Sequence, residues 1–203
     1  SYTTVETDIN NGLHDAIQIL EKTTGHLEFA ETYACSSAAG GLKMISCGLV
    51  PELTAQASRE ASLGAGAKVW KTYSFQLTKG DMKEIEEYHP DIILLTGGTD
   101  GGNTECILYN AKMLAGLSYD CPVVIAGNRC CADDCQEILA GRTTYICENV
   151  MPRLGELNIE PTQKQIREIF LNRIVQGKGL TQAMDLMSGI IMPTPSAMLT
   201  AME

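Results

Sequence analysis

Residues 91–103 read Asp91-Ile92-Ile93-Leu94-Leu95-Thr96-Gly97-Gly98-Thr99-Asp100-Gly101-Gly102-Asn103. Ile92 to Leu95 is an unbroken apolar run, which suits a strand covered on both faces, as in a parallel sheet. Pro90 and Asp91 open the run, and the glycines after it let the backbone turn tightly or approach a ligand or another segment closely. Thr99, Asp100 and Asn103 supply short polar groups that can cap the next helix. A strand, a polar glycine turn and a helix N-terminus together make a candidate anion or polar-ligand site. A plain tight connection in an α/β protein has the same composition. The spacing matches neither the dinucleotide fingerprint nor the phosphate-cradling loop with its Lys-Ser/Thr pair.

Outward from this stretch the chain alternates. Before it lie an extended segment ending at Gly48, a helix from Pro51 to about Leu63, a strand from Lys68 to Tyr73 and a helix capped by Thr78 that runs to Tyr88. After it come a helix over Thr104 to Leu114, a strand over Pro122 to Ala126, a helix over Cys131 to Leu139 and a strand over Thr143 to Cys147. Such alternation predicts right-handed βαβ crossovers and a doubly wound parallel sheet. We expect about five parallel strands, near residues 43–48, 68–73, 91–96, 122–126 and 143–147. Two extended runs, Tyr33 to Ser37 and Leu42 to Gly48, read as a hairpin or strand pair, and the segment 29–37 is expected as an added antiparallel edge.

The flanks read as helical. Ile9 to Lys22 forms a helix with Ile9, Leu13, Ala16, Ile17 and Leu20 on one stripe, expected to lie against the sheet or a neighbouring domain. After Met151-Pro152 the alternation stops; Pro161 opens a helix to about Gln176, Thr181 caps a shorter one, and Met192-Pro193-Thr194-Pro195 leads into a helical start over Ser196 to Met202. The expected division is an N-terminal helical segment (1–28), an α/β domain (29–152) and a C-terminal helical layer packed on it (153–203). The helical pattern at the end is what a piece of a longer protein would show.

At 203 residues, 44% hydrophobic and 20% charged, the chain can bury a sizeable core. A net charge of -10 and a pI near 4.8 argue against a nucleic-acid surface. Without a membrane-length apolar stretch or a signal-like N-terminus, the expectation is a cytoplasmic protein whose partners are small molecules or proteins. The 8 cysteines lack the spacing of a disulfide scaffold and read as reduced thiols; Cys131 and Cys135, four apart with Cys130 adjacent, are either a thiol pair on one helical face or buried small hydrophobes. His14, His26 and His89 show no metal-ligand spacing.

Ligands of doubly wound sheets lie outside the carboxyl ends of the strands. The candidate ligand or partner residues there are Thr96, Gly97, Gly98, Thr99, Asp100, Asn103, Asn128, Arg129, Glu148 and Asn149. Their polarity fits a polar ligand, a partner loop or a hydrogen-bond network of their own.

Several blocks carry a family resemblance. Thr4-Val5-Glu6-Thr7-Asp8, Ser36-Ser37-Ala38-Ala39-Gly40-Gly41-Leu42, Gly48-Leu49-Val50-Pro51-Glu52-Leu53-Thr54-Ala55, Ala61-Ser62-Leu63-Gly64-Ala65-Gly66-Ala67-Lys68, Leu95 to Asn103, Ala126-Gly127-Asn128-Arg129, Glu148-Asn149-Val150-Met151-Pro152 and Met192-Pro193-Thr194-Pro195 resemble, in this order, the MutL family of glutamate mutase accessory proteins. That family is unrelated to the mismatch-repair protein of the same name. The resemblance implies an ATPase-like protein of the actin, Hsp70 and sugar-kinase superfamily, with ATP and Mg as cofactors of the intact protein. It also implies adenosylcobalamin-dependent aminomutase subunits as partners, which such a protein would activate or free of inactivated cobalamin. The phosphate loops expected of the family, upstream of the Thr4 block and downstream of the Pro195 block, are not among these residues. No catalytic residue therefore carries over, and this stretch is expected to be a noncatalytic middle portion.

A second resemblance points to a different class. Thr96-Gly97-Gly98-Thr99-Asp100 is similar to the Thr-Gly-Gly-Thr turn of asparaginase-type amidohydrolases, in which a threonine is the nucleophile and needs an activating base.

Overall fold

The computed structural model describes residues 9–26, 28–36, 42–63, 65–177 and 189–193. They fall into two compact units, one of Ser1–Ala38 with Glu168–Glu203, the other Ala39–Arg167.

The second unit is built on a sheet of five strands: β2 (Leu42–Gly48), β3 (Ala67–Ser74), β4 (Ile92–Leu95), β5 (Val123–Ile125) and β6 (Thr144–Ile146). Their order is β3-β2-β4-β5-β6 and every pairing is parallel, as the alternation predicts. The connecting helices are α2 (Pro51–Ser62), α3 (Lys79–Tyr88), α4 (Glu105–Ala115) and α5 (Ala132–Ile138), the last preceded by a short 3-10 turn at Arg129–Cys131. Local chemistry explains their starts. Pro51 occupies the first turn of α2, and Thr78 and Asp81 form a reciprocal capping box on α3, the Asp81 amide donating to the Thr78 hydroxyl at 3.1 Å.

β4 is the centre of this unit: Ile92, Ile93, Leu94 and Leu95 are all fully buried. Alternate side chains serve opposite layers. Ile45, Cys47, Ile93, Leu95, Val123 and Ile125 share a core with Ile85 of α3, Ile107, Ala111 and Leu114 of α4, and Cys135 of α5. Met44, Ser46, Ile92, Leu94 and Val124 therefore point to the other face, where α2 contributes the buried Ala57 and Ala61. The buried thiols are core filling: burial pushes Cys135 up to about 12, and raises Cys47 further.

The expected antiparallel edge is not there. β1 (Tyr33–Ser36) pairs in parallel with β7 (Gly189–Pro193) in a separate two-stranded sheet, Tyr33 opposite Gly189. The hairpin with β2 fails because β2 is an interior strand, its two edges already taken by β3 and β4. Gly189–Pro193 is a strand where Met192-Pro193 reads as a lead into a helix. The other elements of the first unit are α1 (Ile9–Thr24) and, across the unit boundary, α6 (Glu160–Gly177). On the stripe of α1, Leu13 and Ala16 are half-buried, Ile17 is 36% and Leu20 63% exposed. The helices expected from Thr181 and Ser196 lie outside the described residues.

Candidate functional site

The strand order places a topological switch point between β2 and β4. β2 connects through α2 to β3 on one side, whereas β4 connects through α4 to β5 on the other. Right-handed crossovers running in opposite directions put α2 and α4 on opposite faces, so the loops leaving β2 and β4 diverge and open a crevice.

The polar residues at these strand ends do come together, but mostly to bond one another. Asn128 is fully buried. Its Oδ1 accepts from the amides of Gly101 and Cys130, each at 3.1 Å, and its Nδ2 donates to the carbonyls of Gly102 at 3.2 Å and Asn103 at 3.3 Å. Asn149, 3% exposed, donates to the Gly98 carbonyl at 3.0 Å and Asp100 Oδ1 at 2.9 Å, and accepts from the Met151 amide at 3.0 Å. Asp100 Oδ1 also accepts from the Arg129 amide at 3.0 Å, and the Asp100 amide donates to the Pro152 carbonyl at 3.0 Å. Asn103 Oδ1 accepts from the Cys106 amide in the first turn of α4 at 3.0 Å. The Thr96 hydroxyl, 3% exposed, donates to the Cys47 carbonyl at 3.0 Å.

The glycines serve the same closure. Gly98 has φ +74°, and a Cβ on it would lie 2.3 Å from the Asn103 carbonyl oxygen. A Cβ on Gly127 would lie 2.9 Å from both the nitrogen and the oxygen of Gly97. The close approach that the glycines permit is to the protein's own backbone.

Two sequence-predicted residues stand apart from this network. The Arg129 side chain is exposed and only its backbone takes part. Glu148 is exposed and accepts from Asn158 Nδ2 at 2.9 Å.

Beside the closed turn lies an open cleft of about 290 Å³. Its walls are Leu49, Val50, Leu53, Thr54 and Ala57 after β2, Thr96 to Thr99 with Asn103 after β4, and Asn149 to Met151 with Leu154. Among the described residues no Asp, Glu, His, Lys, Arg, Cys or Tyr lines it. The described lining residues include no general base, no charged partner for a phosphate and no group to activate Thr96 or Thr99 as the amidohydrolase comparison requires. The apolar wall residues are absent from the sequence-based candidates. The signal that marks them, the neighbouring positions of β2 and β4, exists only in the strand order.

Among the described residues no group of three or more His, Cys, Asp or Glu is placed to hold a metal ion, and no helix is long and apolar enough to cross a membrane.

Comparison with known proteins agrees with the sequence blocks. The chain is 51% identical to the curated "Protein MutL" of Clostridium tetanomorphum over 206 aligned residues, covering 98% of this chain and 44% of that relative. The chain thus spans less than half the length of the relative it matches. The family model described as MutL protein matches residues 1–203, and the chain belongs to the MutL family.

Proposed function

We propose that this chain is the middle portion of an ATPase-like accessory protein that activates or reactivates an adenosylcobalamin-dependent aminomutase such as glutamate mutase, and that it serves there as a binding module without catalysis of its own. The observation that carries the noncatalytic part is the closure of the Gly97–Asn103 turn. The backbone space a phosphate would need at Gly98 is occupied by the Asn103 carbonyl; Asn128 spends its amide on the backbone of the turn and of Cys130, and Asn149 bonds the Gly98 carbonyl and Asp100. Phosphoryl transfer requires several preorganised groups around phosphates and a metal ion. The family membership supports the accessory role, and the intact protein would bind ATP and Mg through loops outside these residues. The setting would be the cytoplasm, with mutase subunits as partners.

The test is surface plasmon resonance of this chain against the immobilised subunits of glutamate mutase, paired with a reactivation assay on mutase inactivated with hydroxocobalamin. The expected result is saturable binding by the chain, no reactivation by the chain alone, and reactivation by the full-length protein with Mg-ATP. Absence of binding, together with no effect of the full-length protein on the inactivated mutase, would sink the accessory role. Support for the amidohydrolase class would require asparagine or glutamine hydrolysis by the chain that disappears in Thr99→Ala.

A further inference from the structure

We infer that the cleft at the switch point between β2 and β4 binds a small uncharged ligand with an apolar body and one hydrogen-bonding end. The location is the crevice where sheets of this class seat their ligands. Its volume of about 290 Å³ is at the small end of ligand pockets, and its composition is theirs: apolar walls with few polar groups. Leu49, Leu53, Ala57, Met151 and Leu154 supply the walls.

The charge of the ligand follows from the lining. With no ionisable side chain among the described residues of the cleft, a charged ligand would leave water for walls that hold no counter-charge. The chain's net charge of -10 adds a general penalty against anions.

The polar end follows from the floor. A Cβ on Gly48 would lie 2.4 Å from Thr54 Oγ1 and 2.6 Å from Thr96 Oγ1, so the bare glycine is what allows the two hydroxyls to stand over the end of β2. The Thr96 hydroxyl is engaged with the Cys47 carbonyl. Thr54 is only 5% exposed and its hydroxyl makes no hydrogen bond among the described residues; its backbone groups alone are paired, to Val50 and Ser58. That hydroxyl borders the cleft and is left to exchange a hydrogen bond with a ligand hydroxyl, carbonyl or amide. Asn149 offers nothing comparable, because its amide is already used. The ligand therefore sits with its polar end on Thr54 and its apolar body running out toward Leu154, which is 81% exposed. This site does not depend on the accessory role.

The test is a two-dimensional amide NMR titration of the chain with three probes of one shape: cyclohexanol, cyclohexanecarboxylate and cyclohexylammonium. Cyclohexanol is expected to give saturable shifts at the amides of Leu53, Thr54, Gly97 and Gly98, and both charged probes to bind at least about tenfold more weakly. Thr54→Val, which keeps the shape and removes the hydroxyl, is expected to weaken cyclohexanol about five- to tenfold. Leu154→Asp, at an exposed position where folding is not at stake, is expected to weaken it through the charge it brings to the wall. Shifts scattered over the surface without saturation, equal binding of the charged probes, or cyclohexanol affinity unchanged in Thr54→Val would overturn the inference. Should Thr54→Val not fold, unchanged affinity in Leu154→Asp overturns it equally.

Discussion

The glycine turn at Gly97–Asn103 and the cleft beside it leave the same sheet at the same end, yet they are built on opposite principles. The turn is rich in polar groups and closed, because nearly every one of them is spent inside the protein. The cleft is apolar and open, with the Thr54 hydroxyl left over at its wall. Polarity at a strand end is thus a poor guide to where a ligand goes. A buried network of satisfied amides fixes loop geometry, and the shaped apolar space that it holds open is what remains for binding.

The sharpest way to break this contrast is Gly98→Ala. The substitution forces a Cβ to 2.3 Å from a backbone oxygen at φ +74°, and should cost about 3–5 kcal/mol in urea melts from strain and overpacking together. A neutral result would mean that the turn is loose enough to admit a ligand. Leu94→Ala acts on both regions at once, since β4 carries the turn and abuts the cleft. Removal of this fully buried side chain should cost about 2–5 kcal/mol, again by urea melts.

Asn128→Ala separates the two regions. It strands the amides of Gly101 and Cys130 and should cost about 1–3 kcal/mol. It should also raise iodoacetamide labelling of Cys47, which is buried at the end of β2 and whose carbonyl anchors Thr96. In the unsubstituted chain the exposed Cys130 should label before the buried Cys47 and Cys135. Rapid labelling of Cys47 would contradict the closed turn. The smallest effects belong to Thr99→Ala and Arg129→Ala, each expected within about 1 kcal/mol, because neither side chain is part of the buried network. A larger loss in either, seen in the same melts, would show that the network extends to the surface.

Most of the sheet was legible in the sequence because its signals are local. The apolar run Ile92–Leu95 and the capping residues Pro51 and Thr78 need no knowledge of the rest of the chain. The partner of β1 was not legible, since a strand separated from its neighbour by most of the chain leaves no local trace, and adjacency to β2 in sequence suggested a hairpin instead. For the same reason the sequence could name polar residues past the strand ends but not which of them bond one another and which border the cleft. Asn128 and Asn149 are visible as polar residues past strand ends, but that both amides are satisfied internally depends on the packing of three loops. Leu49, Leu53 and Met151 carry no local mark of a site; only the order β3-β2-β4-β5-β6 puts them around an opening.

The central claim is that the closed turn is no nucleotide site. Its most direct test is isothermal titration calorimetry of this chain with Mg-ATP, run beside a phosphate-release assay. The account predicts no saturable heat in the micromolar range and no turnover above a heat-treated control. Micromolar binding that disappears in Asp100→Ala, or turnover above that control, would show that the turn opens to hold phosphates and would contradict the account.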